Sequence, residues 1–146
     1  MNTRLLYLDI DGVLLGKSKP DDIEIILANH AKEFLEFCLK HYKCYWLTTH
    51  CKGRDASSVV NLLKGYSDTS VIKLIKSVNP TSWNTLKTEA IDFSSDFYWV
   101  DNQPLWCETE LLKKNNVLDR LILADTRKEP DALKRVMSIL ADRGSK

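Results

Sequence analysis

Long hydrophobic runs are missing from this chain, and none approaches the ~20 consecutive apolar residues that a bilayer-spanning helix requires. The amino terminus also lacks the basic-then-apolar order of a secretory leader, so the expected location is cytoplasmic. Charge of one dominant sign is absent as well. Lysine and arginine total 21 and aspartate and glutamate 20, so no global field draws the protein to nucleic acid or a membrane, and selectivity must come from local charge. The cysteines, Cys38, Cys44, Cys51 and Cys107, form no C-x-x-C pair, which argues against a zinc knuckle or a dithiol redox motif. They are expected to be reduced and mostly buried. Repeats and low-complexity segments are absent too. The 146 residues fit a single domain, residues 1–146, able to bury roughly two-thirds of its unfolded surface.

What is present is an alternation of short apolar runs with longer amphipathic stretches. The runs Arg4–Ile10, Cys44–Leu47, Val71–Ile75, Phe97–Val100 and Leu121–Ala124 are apolar at nearly every position, as expected for strands covered on both faces. Between and after them, helices are expected over Asp21–Tyr42, Asp55–Lys64, Trp83–Ile91, Leu105–Lys114 and Asp131–Ala141. This alternation predicts an α/β fold with a doubly wound, Rossmann-like parallel sheet of five strands. Right-handed crossovers put every strand-to-helix loop at one edge of such a sheet, beyond the carboxyl ends of the strands, and ligands bind there.

The residues after the strands are therefore the informative ones. Asp9-Ile10-Asp11-Gly12-Val13 follows Leu5-Leu6-Tyr7-Leu8 and sets two carboxylates at the end of a buried strand. Side chains at i and i+2 of an extended segment share a face. Two unpaired anions there repel and raise one pKa unless a cation or a shared proton intervenes, so a metal-and-phosphate site is the economical explanation. Gly12 can take the positive φ that a sharp exit requires. The competing reading is an ordinary Asp-Gly turn with both acids solvated. Thr48 and Thr49 follow the second strand, Asp101 and Asn102 the fourth and Asp125 the fifth, while Lys87 precedes the fourth. Carboxylates, hydroxyls and an ammonium at one edge are what phosphoryl transfer requires, and Mg²⁺ needs only one or two carboxylates plus phosphate.

These segments resemble the haloacid dehalogenase (HAD) superfamily of phosphohydrolases. Leu5-Leu6-Tyr7-Leu8-Asp9-Ile10-Asp11-Gly12-Val13 matches its first motif, and Tyr45-Trp46-Leu47-Thr48-Thr49 its second. Lys87 within Trp83-Asn84-Thr85-Leu86-Lys87 fits the third, and Tyr98-Trp99-Val100-Asp101-Asn102 the fourth. The resemblance implies that Asp9 attacks phosphorus to form an aspartyl-phosphate while Asp11 protonates the leaving group and later activates water. It implies Mg²⁺ held by the Asp9 carboxylate, the Asp11 backbone carbonyl, Asp101 and phosphate oxygen. Thr48, or alternatively Thr49, would donate to the phosphoryl group, and Lys87 would neutralise phosphate and nucleophile. With the sheet of that family goes the strand order 5-4-1-2-3, the first strand central.

One departure concerns the fourth motif, where Asn102 stands in place of a second acid and can reach metal-bound water only through a neutral carbonyl. Asp125 could compensate or could cap the loop before the last helix. The gaps between motifs leave no room for a large cap, only a small flap from Leu14 to Pro20, so the implied substrate is a phosphorylated molecule that can be large or extended. Lys17, Lys19, Lys52 and Arg54 would line the entrance. Alternatives are a polynucleotide end-processing phosphatase and a catalytically weak module that binds a phosphorylated ligand. His50 and Cys51 lack spaced partners for a zinc site. Trp46, Trp83, Trp99 and Trp106 read as packing residues, with Trp83 and Trp106 nearest the loops.

Overall fold

The computed structural model describes residues 4–53 and 55–144. Its main sheet has four parallel strands, β1 (Leu5–Leu8), β4 (Lys43–Trp46), β5 (Phe97–Asp101) and β6 (Leu121–Leu123), in the order β4-β1-β5-β6. Leu8 is level with Trp46 on one side and Val100 on the other. β1 is central because both of its faces are apolar. Leu6 and Leu8 join Cys44, Trp46 and Val100 in one core, while Tyr7 joins Leu47, Phe97 and Trp99 in a second core on the opposite face. Alternate residues of an extended chain point to opposite faces, which separates these two sets.

The first face is covered by α1 (Ala31–His41), α2 (Ser57–Leu63), α3 (Thr69–Ile75) and α5 (Ala132–Gly144), which contribute Phe34, Leu35, Val59, Leu63, Val71, Ile75, Leu133 and Val136 to its core. The second is covered by α4 (Trp106–Lys114) through Leu112, and by Trp83 and Ile91 from the segment before β5. The α/β class, the parallel pairing and the relative order of four of the five expected strands thus agree with the sequence reading.

The expected third strand does not form. Residues 71–75 lie in α3, and the strand order stops at four. Asp68 decides this: its carboxylate caps the helix by accepting the Val71 N–H at 3.0 Å. Val71 and Ile75, one turn apart, face the core while Lys73 stays exposed. The chain meets β4 further on, at Asn79, which donates to Cys44 O at 2.9 Å and accepts from Trp46 N–H at 2.8 Å. One residue of ladder stands where a fifth strand was expected.

Two expected helices are shortened. Of the stretch 21–42, only Ala31–His41 is helical, and Ile26–Leu27 forms β3, antiparallel to β2 (Leu15–Gly16). Ile23, which stands at helical spacing from Ile26 and Leu27 in the sequence, is 95% exposed, and His30 enters the helix with φ of 68°, so the helical period breaks before Ala31. In the stretch 83–91 there is only a 3-10 turn, Lys87–Ala90. The Glu89 carboxylate accepts the N–H groups of Asn84, Thr85 and Leu86 at 2.8–3.1 Å, and that bonding replaces a first helical turn. The cysteines are all free, with Cys38, Cys44 and Cys51 buried and Cys107 exposed. Among the described residues no helix is long and apolar enough to cross a membrane.

Replacing Asp68 by Ala removes the only side-chain cap of α3. The expected outcome is a lower midpoint in chemical denaturation, because the first turn loses its side-chain acceptor. An unchanged midpoint would show that apolar packing alone holds residues 69–75 helical.

Candidate active site

β1 ends at Leu8, so the two-residue alternation that predicts convergence of Asp9 and Asp11 does not run through Asp11. Asp9 is held beside β5, its N–H donating to Val100 O at 3.1 Å, and its side chain is only 7% exposed. Asp101 closes β5 and is likewise buried. Lys87 joins them, with Nζ 3.2 Å from Asp9 Oδ2 and 2.7 Å from Asp101 Oδ2. The remaining oxygens face backbone donors: Asp9 Oδ1 accepts the Ile10 N–H at 2.8 Å and Asp101 Oδ1 the Gln103 N–H at 2.9 Å.

Two buried carboxylates around one ammonium leave an excess negative charge where water is scarce. Burial, followed by the field of Asp101, pushes the Asp9 carboxyl up to about 6, against the pull of Lys87 and the Ile10 N–H. Burial pulls Lys87 the other way, but Asp9 and Asp101 together more than reverse that and hold its pKa above the ordinary value.

Lys87 is positioned by groups that the sequence does not advertise. Buried Glu108, in the first turn of α4, accepts the N–H groups of Thr88 at 3.2 Å and Leu105 at 3.0 Å. It ties the 3-10 turn that carries Lys87 to the loop leaving Asp101. Glu108 reads as a surface residue of an amphipathic helix; its place three residues after Leu105, where a carboxylate satisfies first-turn donors, was the available signal. Thr126 is the other residue missed. Fully buried, it donates through Oγ1 to Val13 O at 3.0 Å and through its N–H to Gly12 O at 2.8 Å.

Gly12 has φ of 76°, and a Cβ there would run into the Asn102 side chain. Asn102 therefore lies over the turn that follows Asp9 and Asp11. Asp11 itself points outward, its side chain 57% exposed and its Oδ2 2.8 Å from His50 Nε2. Thr48 is fully buried, and its Oγ1 accepts the His50 N–H at 3.3 Å, whereas Thr49 is exposed. His50 thereby touches both motif ends, a contact not expected from the sequence.

Asp125 caps the turn before α5 by accepting the Arg127 N–H at 3.0 Å, the second of its two expected roles. Cys51 is structural: its thiol faces Asp55 O and Thr81 O, and burial pushes its pKa up. Lys52 stacks over Trp83, 4.5 Å from the ring centre, and Lys17 and Lys19 lie in the β2–β3 loop; Arg54 lies outside the described residues. Trp46 and Trp99 are core residues, and Trp106 is 77% exposed at the start of α4.

Among the described residues no group of three or more His, Cys, Asp or Glu side chains could hold a metal ion. The Asp9–Asp101 pair is an oxygen donor set with surplus negative charge. It suits Mg²⁺, which takes one or two carboxylates and keeps its other positions for water and phosphate. No protein-family model, curated protein or solved structure matches the chain.

A carboxyl whose pKa is raised on folding stabilises the fold fully below its ordinary value, near 3.8, and loses that contribution as pH rises through about 6. At neutral pH the ionised Asp9 costs at most roughly 3 kcal/mol. Asp9→Asn is therefore expected to raise the thermal midpoint at pH 7.5 in metal-free buffer, and to lose that advantage at pH 4. An equal or lower midpoint at pH 7.5 would contradict the charge excess.

Proposed function

We propose that the protein is a Mg²⁺-dependent phosphomonoester hydrolase that works through a phosphoryl-aspartate on Asp9. The observation carrying this reading is the half-buried Lys87 ammonium set between the buried Asp9 and Asp101 carboxylates at the carboxyl end of the parallel strands. A structural ion pair has no need of a second buried acid that leaves the group underneutralised, and such pairs add little to stability. A site that must receive a phosphoryl group and a divalent cation gains from both. The resemblance of the four segments to the haloacid dehalogenase motifs supports the same reading.

In this mechanism an Asp9 carboxylate oxygen forms a bond to phosphorus as the ester P–O bond breaks. Asp11, exposed at the surface and hydrogen-bonded to His50, gives a proton to the leaving oxygen. It then takes one from the water that attacks phosphorus and breaks the bond to Asp9, releasing inorganic phosphate. Lys87 offsets charge on the phosphoryl oxygens and on Asp9, and a threonine hydroxyl at 48 or 49 donates to a phosphoryl oxygen. The Asp9 and Asp101 carboxylates and the Asp11 backbone carbonyl would hold Mg²⁺, with Asn102 through bound water. When bound, the ion supplies positive charge that screens the acids from one another and from the phosphate.

Among the described residues the chain adds only the β2–β3 hairpin and α1 between Asp11 and β4, and only two seven-residue helices between Thr48 and Lys87. No large cap covers the site in this reading, and the substrate is not restricted to small molecules.

The test is release of inorganic phosphate from an aryl phosphate with Mg²⁺. Asp9→Asn is expected to lower the rate by at least about 1,000-fold, and metal-dependent turnover persisting in that variant would refute Asp9 as the nucleophile. Of Thr48→Val and Thr49→Val, the variant that removes the phosphate-binding hydroxyl should cost about 10–100-fold. Comparable small losses in both would remove a hydroxyl from the mechanism.

A further inference from the structure

Beside the candidate site lies a cavity of about 470 Å³ lined by Lys17, Pro20, Gln103, Asp125, Arg127 and Lys128. It is built on the same loops. The Gln103 N–H binds Asp101 Oδ1 at 2.9 Å, and the Lys17 N–H binds Thr126 O at 3.1 Å. Three cations thus face one carboxylate. Asp125 is partly spent on the Arg127 N–H and meets the guanidinium through Nε alone, at 3.4 Å. Lys17 and Lys128 pair with no carboxylate among the described residues. Asp21, Asp22 and Glu24 sit further along the same loop, but none of them lines the cavity.

Unspent cations in a concave, partly walled space are held at a repulsive cost that a bound anion relieves, and a guanidinium with free amino groups suits phosphate oxygens. We propose that this cavity is a second phosphate subsite, so that the preferred substrate is a phosphomonoester whose carrier bears a second phosphoryl group. The proposal deepens the hydrolase reading and rests on it for the reaction, but not for the binding. The scissile phosphate sits at Asp9 and Lys87. The second lies across Gln103, against Arg127, Lys128 and Lys17. Two carriers share this chemistry: a small bisphosphorylated molecule and the phosphorylated end of an oligonucleotide, whose second phosphate is a diester.

The experiment measures binding apart from turnover. Affinities of a nucleoside 5′-monophosphate, the matching 3′,5′-bisphosphate and a 5′-phosphorylated dinucleotide are determined by calorimetry on the full chain at low salt. The same titrations are run on Arg127→Gln/Lys128→Gln and, separately, on Lys17→Gln. The bisphosphate, the dinucleotide or both are expected to bind about tenfold more tightly than the monophosphate, and the better of the two identifies the carrier. The double variant should lose that margin and Lys17→Gln part of it, with monophosphate affinity changed less than threefold and thermal midpoints intact. Equal affinity for all three ligands, or a margin retained in the double variant, overturns the subsite. A margin that is present while no ligand releases phosphate overturns the hydrolase reading and leaves the subsite standing.

Discussion

The contact on which the site depends is one ammonium shared by two buried carboxylates. Lys87 reaches Asp9 and Asp101 across neighbouring strands, and none of the three could be buried as an ion without the others. Because Asp101 sits at the end of β5 and Asp9 just beyond β1, the parallel pairing of those strands sets the distance between the acids. The segment before β5 then has to deliver a lysine from the other side. It does so as an irregular chain with a single 3-10 turn, which Glu89 fixes from within and Glu108 anchors to α4. The lysine at the centre is thus held in place by carboxylates that never touch it.

A second constraint is the turn after Asp9. Gly12 and Gly16 let the backbone pass where a side chain could not, the first against Asn102 and the second against Thr126. Thr126 in turn bonds Gly12, Val13 and Leu15. The β1 exit, the β2–β3 hairpin and the loop after β6 therefore form one packed unit. That unit also forms a wall of the basic cavity, so the acid centre and the cationic space beside it share a scaffold.

The two faces of the sheet are unequally covered, by four helices on one side and by α4 with irregular chain on the other. Regular helices dominate where the core needs area. On the thinner face the chain is free to follow side-chain hydrogen bonds instead of helical ones, and that freedom brings Lys87 and Gln103 close to Asp101. Stability and site assembly are in this sense divided between the faces.

The sequence by itself determined the α/β class, four of the strands, their parallel pairing and the sheet edge on which the polar residues gather. Near-continuous apolar runs suit strands covered on both faces, and strand-end carboxylates are visible as exceptions to them. It also placed Asp9, Lys87 and Asp101 at one site. The tertiary structure decided what local pattern leaves open. Val71–Ile75 suits a strand by composition, and the cap from Asp68 makes it a helix; Ile23 fits a helical stripe, and a hairpin leaves it in solvent. Asp11 turns outward to His50 because the strand stops before alternation can align it with Asp9. Glu108 and Thr126 look like ordinary surface residues until packing buries them, because a polar side chain acquires its role from donors and acceptors distant in the chain.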